Sequence, residues 1–190
     1  MKVVLVDAQQ ERAEAVTRVL QTAGRWPVVH LESIEGLLAV VNRHEPEVLV
    51  VNLQSVTKTA LEYLATLNRH YPLPVVIFAD DMDSSVIASV VDAGVAAYVV
   101  DGLQNHRINL VIDIAVARFR KYRLLEEELM ATKNLLSERK VIERAKGILM
   151  KQHGYSEDDA YHALRRQAMR KNKKLVEVAE GLVSAAELMG

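Results

Sequence analysis

Three aspartates lie close together at Asp80, Asp81 and Asp83, near enough to share a divalent cation. Acids in a loop that opens a helix more commonly cap its N-terminus and stay solvated, which is the role expected here. The six histidines are scattered, with no spacing that sets two imidazoles on one metal or beside a nucleophile. Cysteine is absent, which removes thiolate nucleophiles, disulfides and cysteine-ligated zinc. No catalytic residue, metal site or cofactor is therefore expected, and the chain does not read as an enzyme. A different chemistry is offered by Arg139, Lys140, Arg144, Lys146, Lys151, Arg165, Arg166, Arg170, Lys171, Lys173 and Lys174, a cluster suited to a polyanion. Exposed lysine and arginine are ordinary on any surface, so the cluster carries more weight than any member.

The charge distribution sharpens that point. The whole chain of 190 residues has a net charge of −1, but residues 1–103 hold 7 Lys and Arg against 13 Asp and Glu, while residues 131–190 hold 12 against 8. An acidic front and a basic tail suggest two units with different partners. The first residues lack an extended apolar core, since Asp7 follows only four consecutive apolar positions; neither secretion nor a membrane partner is expected, and a cytoplasmic location is.

Positioning these residues requires elements, and the apolar pattern supplies them. Runs at 3–6, 28–31, 48–51, 75–78 and 97–100 are short, β-branched and almost continuously apolar. They predict strands buried on both faces, hence a parallel sheet between helices. Helices are predicted over about 11–22, 34–44, 58–70, 84–93 and from about 105 onward, with Gly24, Pro46, Pro72, Pro74 and Gly94 punctuating their ends. From Asn105 to Lys146 there is no Pro or Gly, so the fifth helix is expected to continue as a connector. Over 107–152 it would extend about 69 Å at roughly 1.5 Å per residue. Ile108, Val111, Ala115, Phe119, Tyr122, Leu125, Leu129 and Leu136 recur near heptad spacing, and a homodimeric coiled coil through Tyr122, Leu125, Leu129 and Leu136 is expected. Gly154 reads as a stop and Ser156 as an N-cap, followed by Glu157, Asp158 and Asp159. A break near Asn172 and Lys173 gives a third tail helix. Asp7 and Asn52 are expected to form a polar pocket at the carboxyl edge of the sheet, where open α/β sheets bind ligands.

The first 120 residues resemble the receiver domain of bacterial response regulators in the order and length of strands and in local motifs. The resemblance implies an acidic pair after the first strand to hold a metal ion, a phosphoaccepting Asp after the third, a hydroxyl after the fourth and a Lys after the fifth. Here VLVDAQQER keeps Asp7 but has Ala8 for the second acid; PEVLVVNL has Asn52 at the acceptor; IFADD has Ala79 for the hydroxyl; and AYVVDG has Asp101 for the Lys. Only Asp7 and the aromatic Tyr98 match. An amide cannot become an acyl phosphate, so a degenerate phosphorylation pocket is expected, with signalling by contact.

The run SERKVIERAKGILMKQHGYSEDDAYHALRRQAMRKNKKLVEVAEGLV is similar to the ANTAR domain, an RNA-binding module of bacterial antiterminators, with ERAKGILM, EDDAYHALRRQAM and KLVEVAEGLV in the family's order and spacing. With GVAAYVVDGLQ before the long helix, the chain most resembles the nitrate- and nitrite-responsive antiterminators of the NasT type. Within the module Ile142, Ala145, Ile148 and Leu149 are expected in the core, Gly147 at a close helix approach, and Tyr161 packed beside the core face. The expected architecture is α/β: a five-stranded parallel, doubly wound receiver-like domain at 1–120, a coiled-coil linker helix over 107–135, and a small three-helix all-α RNA-binding domain at 130–190. The resemblance implies leader mRNA hairpins as ligand and a nitrate- or nitrite-sensing regulatory protein of the NasS type as partner. A DNA-binding response regulator and a protein-interaction adaptor are the alternatives.

Overall fold

The computed structural model describes residues 1–24, 26–80, 84–100 and 108–189. It divides into two compact units, Met1–Arg123 and Leu124–Gly190.

In the first unit, strands β1 (Val3–Asp7), β2 (Val28–Leu31), β3 (Val48–Leu53), β4 (Val75–Ala79) and β5 (Ala97–Val100) form one parallel sheet in the order β2-β1-β3-β4-β5. Helices α1 (Gln10–Gly24), α2 (Leu37–His44), α3 (Lys58–His70) and α4 (Ile87–Asp92), with a short 3₁₀ turn at Ser84–Val86, alternate with them. The near-continuous apolar runs have a direct cause. Side chains alternate across a strand, and both faces of this sheet are covered. Val4, Val6, Leu49, Val51, Val75 and Ile77 pack toward α2, α3 and α4, whereas Val3, Leu5, Val48, Val50, Val76 and Phe78 pack with α1 and the start of α5. The outer strands β2 and β5 are only half-buried, as edges should be. Gly94 has φ +73° and a Cβ there would run into the Asn68 amide, so that turn requires glycine.

Helix α5 spans Ile108–His153 without interruption. Its apolar stripe is used in two ways. Ile108, Ile112, Ala115 and Val116 are buried in the first unit, whereas Tyr122, Leu125, Leu129 and Leu136 are 53–61% exposed. No helix among the described residues is long and apolar enough to cross a membrane.

In the second unit, the last part of α5 packs with α6 (Glu157–Lys171) and α7 (Leu175–Met189). The core is narrow because it is built on small residues: Ala145, Ala160, Ala168 and Ala179 are buried, with Leu164 and Val183. Ser156 caps α6, its Oγ accepting the Asp159 amide at 3.1 Å. Asn172, at φ 51°, closes α6 in the left-handed conformation. The expected break is where the residues placed it, but two local expectations fail. Gly147 stands on an open face with nothing within 4 Å of an added Cβ, so Ala145, not Gly147, makes the close approach. Tyr161 is 38% exposed and rests edge-on against His162 rather than in the core.

Candidate functional site

The parallel register sets Asp7 beside Asn52 at the carboxyl edge of the sheet. Asp7 is fully buried, and its carboxylate receives four hydrogen bonds. Oδ1 accepts the Gln9 amide and Arg12 Nη2, each at 2.9 Å; Oδ2 accepts Arg12 Nε and Asn52 Nδ2, each at 2.8 Å. Burial pushes the Asp7 pKa up, but the bonds from Arg12, Gln9 and Asn52 outweigh it and hold the group below the usual aspartate range. Asp7 in turn holds the Arg12 guanidinium above its ordinary value. Arg12 Nη1 also lies 3.9 Å from Asp80. His30 Nε2 bonds the Asp7 carbonyl at 2.9 Å.

Two carboxylate oxygens offer about four lone-pair sites, and all four are taken. A divalent cation of the kind receivers hold does not fit: its one remaining acidic ligand is saturated, a fixed guanidinium charge lies against it, Ala8 supplies no donor, and Asn52 spends its amide on Asp7. Ala79 at the end of β4 carries no hydroxyl. Asp101, Asp81 and Asp83 lie outside the described residues. Asp7 and Asn52 thus meet as expected, but as a closed structural network. Arg12 is absent from the residues that sequence singles out; its signal is its place one turn into α1, five residues after Asp7, on the side that faces the carboxylate.

In the second unit, Arg139, Lys140, Arg144, Lys151, Arg165, Arg166, Arg170, Lys171, Lys173 and Lys174 are all exposed. On α6, Arg165, Arg166 and Arg170 fall on the side opposite the buried Ala160, Leu164 and Ala168, with Met169, 74% exposed, among them. Arg144 is paired with Glu187 at 2.8 Å; the other nine have no acidic partner within 4.0 Å among the described residues. Arg170 and Lys171 also suit the negative end of the α6 dipole, as Glu157, Asp158 and Asp159 suit its start.

Lys146 departs from the expected cationic face. It is 7% exposed, and its ammonium donates to Glu157 at 2.7 Å and to Glu143 at 2.9 and 3.0 Å. The Glu157 and Glu143 carboxylates hold its pKa above the usual lysine value, while Lys146 holds Glu157 low. Its charge is spent on tying α5 to the start of α6 and is not available to a ligand. Tyr155 is 41% exposed, its ring 5.5 Å from that of His153.

Comparisons with known proteins agree with this division. Residues 131–183 match the ANTAR domain family. The transcriptional regulatory protein PdtaR of Mycobacterium tuberculosis is 28% identical over 137 residues, 72% of this chain and 67% of that one. The nitrate regulatory protein of Klebsiella oxytoca is 44% identical over 64 residues, 34% of this chain but 16% of that protein. In structure, a response regulator from Thermotoga maritima aligns with a TM-score of 0.55 at 16% identity, covering 61% of this chain and 97% of that one, which establishes the receiver fold and nothing of its chemistry. Residues 131–183 are thus similar to the ANTAR domain, and in sequence they follow a receiver-fold domain whose acidic pocket is closed by an internal arginine.

Proposed function

We propose that this protein is a transcription antiterminator that binds paired hairpins in a nascent leader mRNA and so keeps a terminator from forming. The observation that carries the reading is the set of nine exposed cations between positions 139 and 174 without acidic partners among the described residues. Uncompensated positive charge on a small helical module is the electrostatic footprint of nucleic-acid binding, driven by release of counterions from phosphates. Arg139, Lys140, Lys151, Arg165, Arg166, Arg170, Lys171, Lys173 and Lys174 supply it, with Arg144 half-committed to Glu187.

A homodimer follows from the open stripe of α5. Tyr122, Leu125, Leu129 and Leu136 keep heptad spacing and lack cover, and a second copy buries them as a coiled coil. Two copies present two modules, matching two hairpins. The closed Asp7 pocket leaves contact as the means of control, through a nitrate- or nitrite-sensing partner of the NasS type. Support for the nitrate role comes from the Klebsiella oxytoca relative's name and from the likeness to NasT-type antiterminators.

The test is binding of the purified protein to a leader RNA with two adjacent hairpins, against a scrambled RNA and duplex DNA, across a salt titration. Specific hairpin binding is expected, and Arg165→Gln/Arg166→Gln/Arg170→Gln is expected to lower affinity by about 100-fold and the salt slope by roughly two to three, at about 0.7–0.9 for each phosphate no longer neutralised. Equal weak binding to all three nucleic acids would overturn the reading in favour of a protein-interaction adaptor; preference for duplex DNA would favour a DNA-binding regulator.

A further inference from the structure

On one side the sheet of the first unit ends at β2, and that edge is open. β2 pairs with β1 alone, in parallel register from Val3 beside Val28 to Val6 beside Leu31. The Val3 amide donates to the Pro27 carbonyl at 2.9 Å, which fixes the phase of the ladder. Alternate residues of a strand turn their N–H and C=O to opposite sides, so Val29 and Leu31 face β1 while Val28 and His30 turn both groups outward. Trp26, the preceding member of the outward series, gives its amide to the Leu20 carbonyl at 3.3 Å. The N–H and C=O groups of Val28 and His30 have no hydrogen-bond partner among the described residues. Proteins commonly blunt such an edge with lysine, proline, a bulge or a covering element. The four residues of β2 hold neither lysine nor proline, and they pair with β1 without a bulge.

A second observation lies beside this edge. A groove of about 340 Å³ is walled by Gln10, Ala13, Glu14, Thr17 and Arg18 of α1 and by His30. The groove has a fixed wall, because a carbonyl only accepts and His30 Nε2 therefore donates to the Asp7 carbonyl, at 2.9 Å. Its free charge is acidic. Arg18 turns its Nε back to the Glu14 carbonyl at 3.4 Å. Glu14 takes the Gln10 side-chain amide at 2.9 Å, yet the exposed carboxylates of Glu14 and of Glu32, just past β2, have no cation within 4.0 Å among the described residues. Residues 1–103 around them hold 7 Lys and Arg against 13 Asp and Glu.

We propose that the β2 edge takes an extended, basic peptide segment of a partner protein, added to the sheet as a further strand with a lysine or arginine beside Glu14. The backbone selects this occupant. A row of outward N–H and C=O groups at strand spacing is matched by another strand, and the groove alongside receives the side chains of its inner face. A helix bonds its own backbone internally and would leave all four groups unpaired. A nucleic acid is opposed by Glu14, Glu32 and the acidic unit behind them. A second copy of the same edge would bring the same two acids to the junction. The inference concerns the first unit alone and holds whether or not the second binds RNA.

The experiment uses the full chain and two pools of random seven-residue peptides displayed on phage, one with a fixed central lysine and one with a fixed central glutamate. Binders are expected from the lysine pool and not from the glutamate pool. N-methylation of one backbone amide at a time in a synthetic copy of a selected peptide is expected to weaken binding about tenfold at alternate positions and hardly between them, as loss of an edge hydrogen bond requires. Amide hydrogen exchange in the complex is expected to slow at Val28 and His30 and to change little at Val29 and Leu31, whose amides already serve β1. His30→Ala, which keeps the amide, is expected to bind the peptide within about threefold of wild type, and His30→Pro, which also deletes the outward donor, to lose about another tenfold, with circular dichroism as the check on folding. No binders from the lysine pool, a preference for the glutamate pool, N-methyl effects without alternation, or unchanged exchange at Val28 and His30 would each overturn the proposal. So would reduced self-association of His30→Pro in sedimentation velocity, which would assign the edge to a second copy.

Discussion

Arg12 and Lys146 belong to different units, yet both have their charge turned inward. Arg12 neutralises the buried Asp7 with a two-pronged contact, and Lys146 joins Glu143 to Glu157. Arg165, Arg166 and Arg170 have the same charge and none of that company. Residue type therefore says little about what a cation does, and its partners say a great deal. In the first unit the carboxyl edge of the sheet is occupied by a closed network that holds β1, β3 and α1 together. In the second unit charge is left unbalanced on the surface, which is unfavourable for the isolated module and leaves it open to an anion.

The comparison breaks most visibly at Arg12. Arg12→Ala leaves a buried carboxylate without its counter-ion, and destabilisation of about 3–5 kcal/mol is expected, read as a lowered midpoint in urea unfolding of the full chain. A variant as stable as the wild type would mean that Asp7 does not need the guanidinium. Asn52→Asp tests the same network from the other side. It places a second carboxylate within hydrogen-bond reach of Asp7, and a loss of roughly 1–3 kcal/mol is expected, with no mass increase on incubation with acetyl phosphate and magnesium. Labelling of that variant would show that the pocket has kept more of its chemistry than its geometry allows.

Acid titration sharpens the point. The folded-state pKa of Asp7 lies below its unfolded value of about 3.8, so its contribution to stability is complete above that value and is lost as pH falls through the lower folded one. Thermal unfolding below about pH 4 should therefore steepen in the wild type relative to Asp7→Asn. The smallest effect is expected at Lys146. Lys146→Met should leave hairpin affinity within about threefold and the salt slope unchanged, whereas Arg166→Met should lower that slope by roughly one. Equal slopes in the two variants would remove the distinction between spent and available cations.

Much of this is legible in the residues themselves. Five almost continuously apolar runs mean a parallel sheet because a strand covered on both faces leaves few positions for a polar side chain, and those only where a partner is supplied, as at Asp7 and Asn52. Ser156 before three acids marks the start of α6, since an N-cap and its dipole are local matters. Asn52 alone rules out acyl-phosphate chemistry, whatever surrounds it. The cationic cluster can be named from sequence but not sorted, because a lysine's spacing along a helix does not reveal which acids on the next element reach it; Lys146 groups by spacing with residues whose surroundings differ entirely. The two helical glycines show the same limit. Gly147 reads in sequence as a close approach, yet a Cβ at Gly147 or at Gly181 would meet nothing within 4 Å, and only the packing of the tail helices shows that both positions are open.

Composition and periodicity thus determined which segments fold into what, and which reactions are out of reach, because both depend on the properties of individual residues and of their near neighbours in the chain. Tertiary structure decided where the charges go and what is left uncovered. Arg12 closes on Asp7 through the β1–α1 turn, the α5 stripe divides into a buried and an exposed part, and Lys146 of α5 meets Glu157 of α6, each set by the distance between elements that no local pattern encodes.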